Sequence, residues 1–346
     1  MTEQSGREPR VTLSTVAAVA GISVPTVSKV LRGGTDVSPE TRLKVMDAVR
    51  AVGYERPGRA KAGAARDETG QPGLIDLVVN HVEGSWANRV LTGVEYEAAA
   101  AGLDVVITLA RHNGDWASRL LRRRSLGAVV VLVDPTSSQF KALAAAGIPV
   151  VLIDPMSKPP INAASVGVAN WDGGRIAGEH LLELGHRRIG VVAGARSHMY
   201  SRARVDGLRA AVDAAGHEGG TVTVAYGDWS RTQAEAAAHE LLDRTPDISA
   251  VFACSDVMAL GVYDALASRG LRVAEDVSVV GFDDVPEAQW ATPQLTTIRQ
   301  PSAEMGSAAV KLLLESRLRG GDTDRPHPRV EMLTSLVVRA STAAMR

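Results

Sequence analysis

The residues of this 346-residue chain best suited to chemistry are tryptophans, carboxylates and an arginine, gathered in short stretches that follow β-branched apolar runs. Trp86 closes the stretch 80–86 after one such run, and Asp154 follows another at 149–153. Asn170-Trp171-Asp172 opens a helical pattern, and Ser201, Arg202 and Arg204 come after the run 189–193. Gly227-Asp228-Trp229, Ser255-Asp256 and Asp283-Asp284 each trail a further run. An indole can cover the apolar C–H face of a sugar ring, while carboxylates and a guanidinium meet its vicinal hydroxyls with paired hydrogen bonds. Tryptophan usage supports this chemistry, because five Trp stand against three Phe and five Tyr, and Trp86, Trp171 and Trp229 fall at the ends of runs rather than inside them. The candidate ligand contacts on these grounds are Trp86, Trp171 and Trp229 together with the carboxylates, hydroxyls and arginines of the same stretches.

A second kind of chemistry sits near the start. Residues 13–31 have the spacing of two short helices crossing at a tight turn: Val16, Ile22, Val27 and Val30 supply a buried face, and Ala17 lets the axes approach. Gly21 falls where the chain must turn at positive φ, Ser23 is placed to cap the second helix, and Pro25 falls in its first turn. This is the pattern of a helix-turn-helix that reads DNA. Ser38-Pro39-Glu40 then reads as the start of a third helix with Leu43, Val45, Met46, Val49 and Val52 as its buried stripe. Residues 1–66 carry eleven Lys/Arg and six Asp/Glu, so the whole-chain charge of −1 hides a basic head on an acidic body, as expected when only one end meets phosphates.

The elements that must position the effector candidates follow from periodicity. Residues 55–73 have linker composition, with Gly, Pro, Ala and charge and no large apolar residue. From residue 74 short apolar runs at 74–79, 105–109, 128–133, 149–153, 189–193, 221–226, 250–253 and 277–281 alternate with amphipathic helical segments. That alternation means parallel sheets with right-handed crossovers, too many strands for one sheet, and hence an α/β core of two doubly wound lobes. Ligands of such sheets bind beyond the carboxyl ends of the strands, where the Trp and carboxylate stretches lie.

With 45% hydrophobic and 22% charged residues the composition is that of a soluble globular protein. The polar first ten residues lack the apolar segment of a signal peptide, and the single Cys254 excludes an internal disulfide; both fit the cytoplasm. An exported sugar-binding protein would share the two-lobed core but needs an export signal and has no use for a basic headpiece. A sugar-acting enzyme could be imagined on Asp283-Asp284, but adjacent residues at a strand end point in opposite directions and cannot flank one bond. There is no Walker loop, nucleophile elbow or metal-ligand cluster, so no cofactor or metal is expected.

From about Val11 to Arg339 the chain resembles LacI-type transcriptional regulators. The specific pieces are Thr-Val-Ser-Lys-Val-Leu at 26–31, Gly-His-Arg-Arg-Ile-Gly at 185–190, Ser-Arg-Ala-Arg-Val-Asp-Gly at 201–207, Ser-Asp-Val-Met-Ala-Leu-Gly at 255–261, Val-Ser-Val-Val-Gly-Phe-Asp-Asp at 277–284 and Pro-Gln-Leu-Thr-Thr-Ile-Arg-Gln-Pro at 293–301. The resemblance implies a three-helix headpiece at 10–56, a hinge at 57–73, and a core at 74–341 like periplasmic sugar-binding proteins. Its first lobe would span about 74–168 and 299–325, and its second about 169–298 and 326–341. It also implies a homodimer on a pseudo-palindromic operator, and a small effector, a mono- or oligosaccharide, between the lobes. Val24, Pro25 and Lys29 would contact bases, Thr12, Ser23, Thr26 and Ser28 phosphates, Arg204 and Asp283 the polar groups of the ligand, and Trp229 its ring. Ser255 departs from the asparagine of many relatives, and the loops around Trp86 look like those of regulators sensing xylo- or cello-oligosaccharides. The hinge departs too. Pro57 comes one residue late, and Gly63 or Ala64 stands where relatives carry a leucine that wedges into the minor groove, leaving Arg59, Lys61 and Arg66 to meet phosphates. Release and retention of DNA on ligand binding are both compatible with this pattern.

Overall fold

The structure is a computed structural model that describes residues 12–31, 37–52, 73–110, 115–160, 163–216, 220–318 and 327–345. The chain divides into two compact units, Met1–Gly63 and Ala64–Arg346. In the first lie α1 (Leu13–Ala20), α2 (Val24–Leu31) and α3 (Pro39–Val52). Thr12 and Thr15 cap α1 reciprocally, each hydroxyl accepting the other's amide at 3.4 and 3.2 Å. Gly21 ends α1 at φ 64°, where any Cβ would be strained, and lets Ile22 N–H reach Ala17 O at 3.1 Å. Ser38 Oγ accepts the Thr41 amide at 3.2 Å at the head of α3. Val16, Ala17, Val27, Val30, Val45 and Ala48 form the buried core. Leu43 and Met46, expected in the stripe of α3, are 54% and 37% exposed. The inward stripe is Val45 and Ala48 flanked by Val49 and Val52, a three-to-four spacing that turns 43 and 46 outward.

The second unit holds two six-stranded sheets. The first contains β1 (Gly73–Val79), β2 (Leu103–Leu109), β3 (Ala128–Val131), β4 (Val150–Ile153), β5 (Ala164–Val168) and β11 (Arg329–Met332), in the order β11-β5-β4-β3-β1-β2 with every pair parallel. The second contains β6 (Arg188–Ala193), β7 (Thr221–Tyr226), β8 (Ala250–Ala253), β9 (Ser278–Asp283), β10 (Thr296–Arg299) and β12 (Ser335–Val337), ordered β12-β10-β9-β8-β6-β7, with β12 antiparallel to β10. Central strands such as Ala-Val-Val-Val (β3) and Ala-Val-Phe-Ala (β8) are apolar at every position because helices cover both faces. α4 (Ser85–Ala100) and α12 (Ser302–Leu318) pack on one face of the first sheet, and α5 (Trp116–Arg123) and α6 (Ser137–Ala145) on the other. On the second sheet α7 (Asn170–Glu183) and α8 (Met199–Ala214) cover one face, and α9 (Arg231–Arg244), α10 (Asp256–Ser268) and α11 (Pro286–Trp290) the other.

The chain passes between the lobes after β5, after β10 and after β11. The last passage corrects an expected boundary. Residues 329–332 do not join the second lobe, as the expected boundary at 326 had them, because β11 pairs with β5, Arg329 opposite Ser165, and Val330 and Met332 pack on the first core. Residues 57–72, and with them most of the expected hinge, lie outside the described residues. Among the described residues no single helix is long and apolar enough to cross a membrane.

Candidate effector cleft and DNA-reading helix

Arg204, on the second turn of α8, is the hub of the cleft. Its Nε donates to Asn170 Oδ1 at 2.7 Å, its Nη1 to the Cys254 carbonyl at 2.6 Å, and its guanidinium lies 3.7 Å above the Phe282 ring. Asp283, ending β9, brings its carboxylate to 3.8 Å from Nη1 and accepts Gln300 Nε2 at 2.5 Å. An arginine 3% exposed and fixed on three sides is a preorganised donor fork: its entropy cost is met on folding, leaving its charge to hold a second group.

Asp154 joins this charge cluster from the end of β4 in the other lobe. It is 5% exposed, and burial raises its carboxyl to about 6 although Arg204 and the Val168 amide oppose the rise. Burial likewise pushes Asp283 up, against the pull of Arg204 and Gln300. The backbone is strained here as well. Of the eight non-glycine residues at positive φ among the described residues, Asp154, Asp228, Trp229, Asp283 and Asp284 all sit at these strand ends, at about 1–3 kcal/mol each. Such strain concentrates where a fold holds groups for a ligand.

Trp229 has φ 64° and lays its ring over Gly194, where a Cβ would come within 2.1 Å of the indole. Its Nε1–H donates to His198 Nδ1 at 2.9 Å, and its ring centroid stands 5.1 Å from that of Tyr200. Trp86, second residue of α4, is half-buried against the first core, and its buried Nε1 has no partner within the protein. Ser201 Oγ, Gln300 Oε1 and Glu287 Oε2 are likewise buried and unpartnered. Buried polar atoms are rarely left so, and a ligand rich in hydroxyls would satisfy them. Around them the lobes are tied directly: Ser85 Oγ donates to Glu287 Oε1 at 2.5 Å, Arg89 Nη1 to Asp284 O at 2.7 Å, and the Met199 amide to Met156 O at 2.8 Å.

Two expected contacts behave differently. Ser255 caps α10, its Oγ accepting the Met258 amide at 3.2 Å, which leaves its O–H for another partner. Trp171 is 45% exposed, and its neighbour Asn170 is the one that touches Arg204. Asp284 faces away from Asp283's partners, held by Arg299 and Arg339 at 2.6 and 2.5 Å, so the adjacent acids act separately.

In the headpiece, α2 turns Val27 and Val30 inward and leaves Ser23, Val24, Pro25 and Lys29 exposed, with Thr26 and Ser28 half-buried beside them. Ser23 Oγ meets Thr26 Oγ1 at 2.9 Å, and Thr12 is exposed at the head of α1. Arg59 and Lys61 lie outside the described residues.

Residues 12–57 match the model of the bacterial regulatory proteins of the lacI family, and residues 179–342 that of the periplasmic binding protein-like domain. The chain is 37% identical to the HTH-type transcriptional regulator CelR of Thermobifida fusca, over 97% of this chain and 99% of that one. It belongs to the LacI family. It is also 34% identical to the HTH-type transcriptional regulator MalR of Streptomyces coelicolor, with 96% of each chain covered. Among solved structures it is similar to the CelR–cellobiose complex (32% identity, TM-score 0.69, 96% of this chain and 100% of that chain). The lac repressor dimer bound to operator and the anti-inducer ONPF is also similar (28% identity, TM-score 0.68, 97% and 100%). These relatives are transcriptional regulators, not enzymes, and the helix-turn-helix is the DNA-binding module of the family.

Asn170, His198, Tyr200 and Gln300 were not among the contacts expected from sequence, although Asn170 and Gln300 lie in stretches singled out there. Asn170 and Gln300 fix Arg204 and Asp283, and His198 and Tyr200 fix Trp229. All four hold another site residue, a role that carries no signature in composition or spacing.

Proposed function

We propose that this regulator senses a β-linked glucose disaccharide, cellobiose or a longer cello-oligosaccharide, held between the lobes of residues 73–345, and that occupancy of this cleft sets its affinity for operator DNA in the cytoplasm. The Arg204–Asp283 pair, with Trp229 beside it and Asp154 opposite, carries the reading. It offers a fixed cationic fork, two carboxylates and an aromatic face, the set a sugar's hydroxyls and C–H face require. The similar CelR structure contains cellobiose. Trp86 and Ser201 supply donors for a second ring, while Trp171 and Ser255 take outer positions. Two headpieces of a homodimer, each with α2 in a major groove, read half-sites of a pseudo-palindrome. Lys29 is the main hydrogen-bonding reader, Val24 and Pro25 meet thymine methyls, and Thr12, Ser23, Thr26, Ser28, Arg59 and Lys61 meet phosphates. With no leucine at 63 or 64, the hinge kinks the operator centre less than in leucine-bearing relatives.

Isothermal titration with cellobiose, maltose and xylobiose tests the effector. Cellobiose binding that is lost in Arg204→Ala is the expected result, and tighter binding of maltose than cellobiose would assign an α-linked effector instead.

A further inference from the structure

The start of α8 does two things at once. His198, just before the helix, accepts the Trp229 indole N–H at 2.9 Å, and the amide of Met199, its first residue, donates across to Met156 O in the other lobe at 2.8 Å. An indole N–H can only donate, so His198 Nδ1 must be the bare nitrogen and the ring a neutral imidazole protonated at Nε2. The rings are near-parallel, 12° apart with centroids 6.1 Å distant, and Tyr200 OH shares Nδ1 at 3.0 Å. Gly194 lets the indole lie close against the backbone, the ring packs on both cores of the second lobe, and His198 accepts the hydrogen bond from its Nε1–H edge.

We propose that His198 is a positioning residue for effector recognition: neutral, it holds Trp229 in place by accepting the indole N–H; protonated, it releases that ring and weakens sugar binding. The inference rests on the reading that Trp229 faces the effector. An imidazolium has an N–H at both ring nitrogens, and two N–H groups meeting at 2.9 Å repel, so proton uptake and the Trp229 contact exclude each other. The groups facing His198 are Asp228 on the loop after β7, Asp134 beyond β3 in the other lobe, and Tyr200 on α8, with the Arg204 guanidinium 5.8 Å from the Trp229 ring. Asp228 and Asp134 favour the imidazolium, but burial outweighs them and holds His198 below its ordinary value, so the neutral form prevails at neutral pH. The residue that holds Trp229 is thus next in sequence to the one bonded to Met156 in the other lobe.

Burial raises both Asp154 and Asp283, so a pH profile of wild-type affinity alone would mix the titration of three groups. The decisive readouts are the indole N–H resonance of Trp229, assigned by its absence in Trp229→Phe, and cellobiose affinity in three proteins: wild type, His198→Asn and His198→Leu. Asparagine places an amide oxygen near Nδ1 and cannot take up a proton; leucine offers no acceptor. Wild type should show the resonance moving with a midpoint below about pH 6.5 without any sugar present, and His198→Asn should show it still. His198→Leu should weaken cellobiose about tenfold at neutral pH, as loss of one buried acceptor does, and His198→Asn should recover most of that loss. Between about pH 7.5 and 5.5, wild-type affinity should fall several-fold more steeply than that of His198→Asn. A wild-type resonance that does not move, or His198→Leu binding cellobiose like wild type, overturns the proposal. If the resonance titrates but Trp229→Ala leaves cellobiose affinity unchanged, the effector reading of Trp229 fails, and the role given to His198 fails with it.

Discussion

The headpiece and the cleft solve opposite problems. In α2 the candidate reading groups Ser23, Val24, Pro25 and Lys29 are exposed, and the caps and turn that place them, Thr12 with Thr15, Gly21, and Ser38 with Thr41, are a few residues apart in sequence. In the cleft the candidate contacts Arg204, Asp154 and Asp283 are buried, and their partners Asn170, Cys254 and Gln300 come from distant strands and helices. A surface that meets a polyanion keeps its charge in water until the partner arrives. A cleft that grips a neutral sugar must desolvate its charges beforehand and hold them by one another. Changes in the exposed reading groups of the headpiece should therefore act on binding with little effect on folding, and changes in the cleft should do both.

Arg204→Ala should show the largest effect. It leaves Asp283 and Asn170 without their buried partner, so it should abolish measurable cellobiose binding and lower unfolding free energy by about 3–5 kcal/mol, read by denaturant titration. Lys29→Ala should weaken operator binding by about 1–3 kcal/mol per half-site, leaving cellobiose affinity and core stability alone. A loss of stability as large as that in Arg204→Ala would break the contrast between the two regions.

Asp154→Asn sharpens it. A carboxylate raised to about 6 by burial is ionised at neutral pH at a cost to the folded state, so the variant should be more stable than wild type by about 1–3 kcal/mol above pH 6. The sign follows from proton uptake: as pH falls from 6 towards 4 the native carboxyl takes up a proton that the unfolded chain does not, and the advantage of the variant shrinks. Melting temperatures across that range check this, and the same variant should bind cellobiose less tightly. The smallest effect belongs to the headpiece: Ser38→Ala removes the cap of α3, which should cost about 1 kcal/mol of headpiece stability, seen as faster amide exchange in α3 with an unchanged operator sequence preference.

The same contrast explains what could be read from the chain alone. Gly21, Ser38 and the apolar runs of β1, β2, β3, β4, β6, β7, β8 and β9 are local signals, and the helix-turn-helix and the two-lobed core follow from them. β5 (Ala-Ser-Val-Gly-Val), β10 (Thr-Thr-Ile-Arg), β11 (Arg-Val-Glu-Met) and β12 (Ser-Leu-Val) were not legible, because short strands with small, polar or charged residues are held by their sheet neighbours rather than by their own propensity. The lobe boundary near 333 was missed for that reason. In the cleft, residue type marked Arg204, Asp283 and Trp229, whereas the choice of Asn170 over Trp171 as Arg204's partner depends on which way the first turn of α7 faces once α8 packs on it. A Cβ at Gly207 would lie 1.9 Å from Trp171 O, so close helix contact fixes that direction, and it is a long-range fact.

The central claim is that the Arg204–Asp283 cleft and the α2 surface are parts of one regulator, linked by a sugar. Operator affinity measured by fluorescence anisotropy, with and without saturating cellobiose, in wild type and Arg204→Ala tests it most directly. The account predicts that cellobiose changes wild-type affinity about tenfold or more, the usual size of an allosteric coupling, and leaves that of the variant unchanged. An equal response in both proteins, or none in wild type that binds cellobiose, would contradict it.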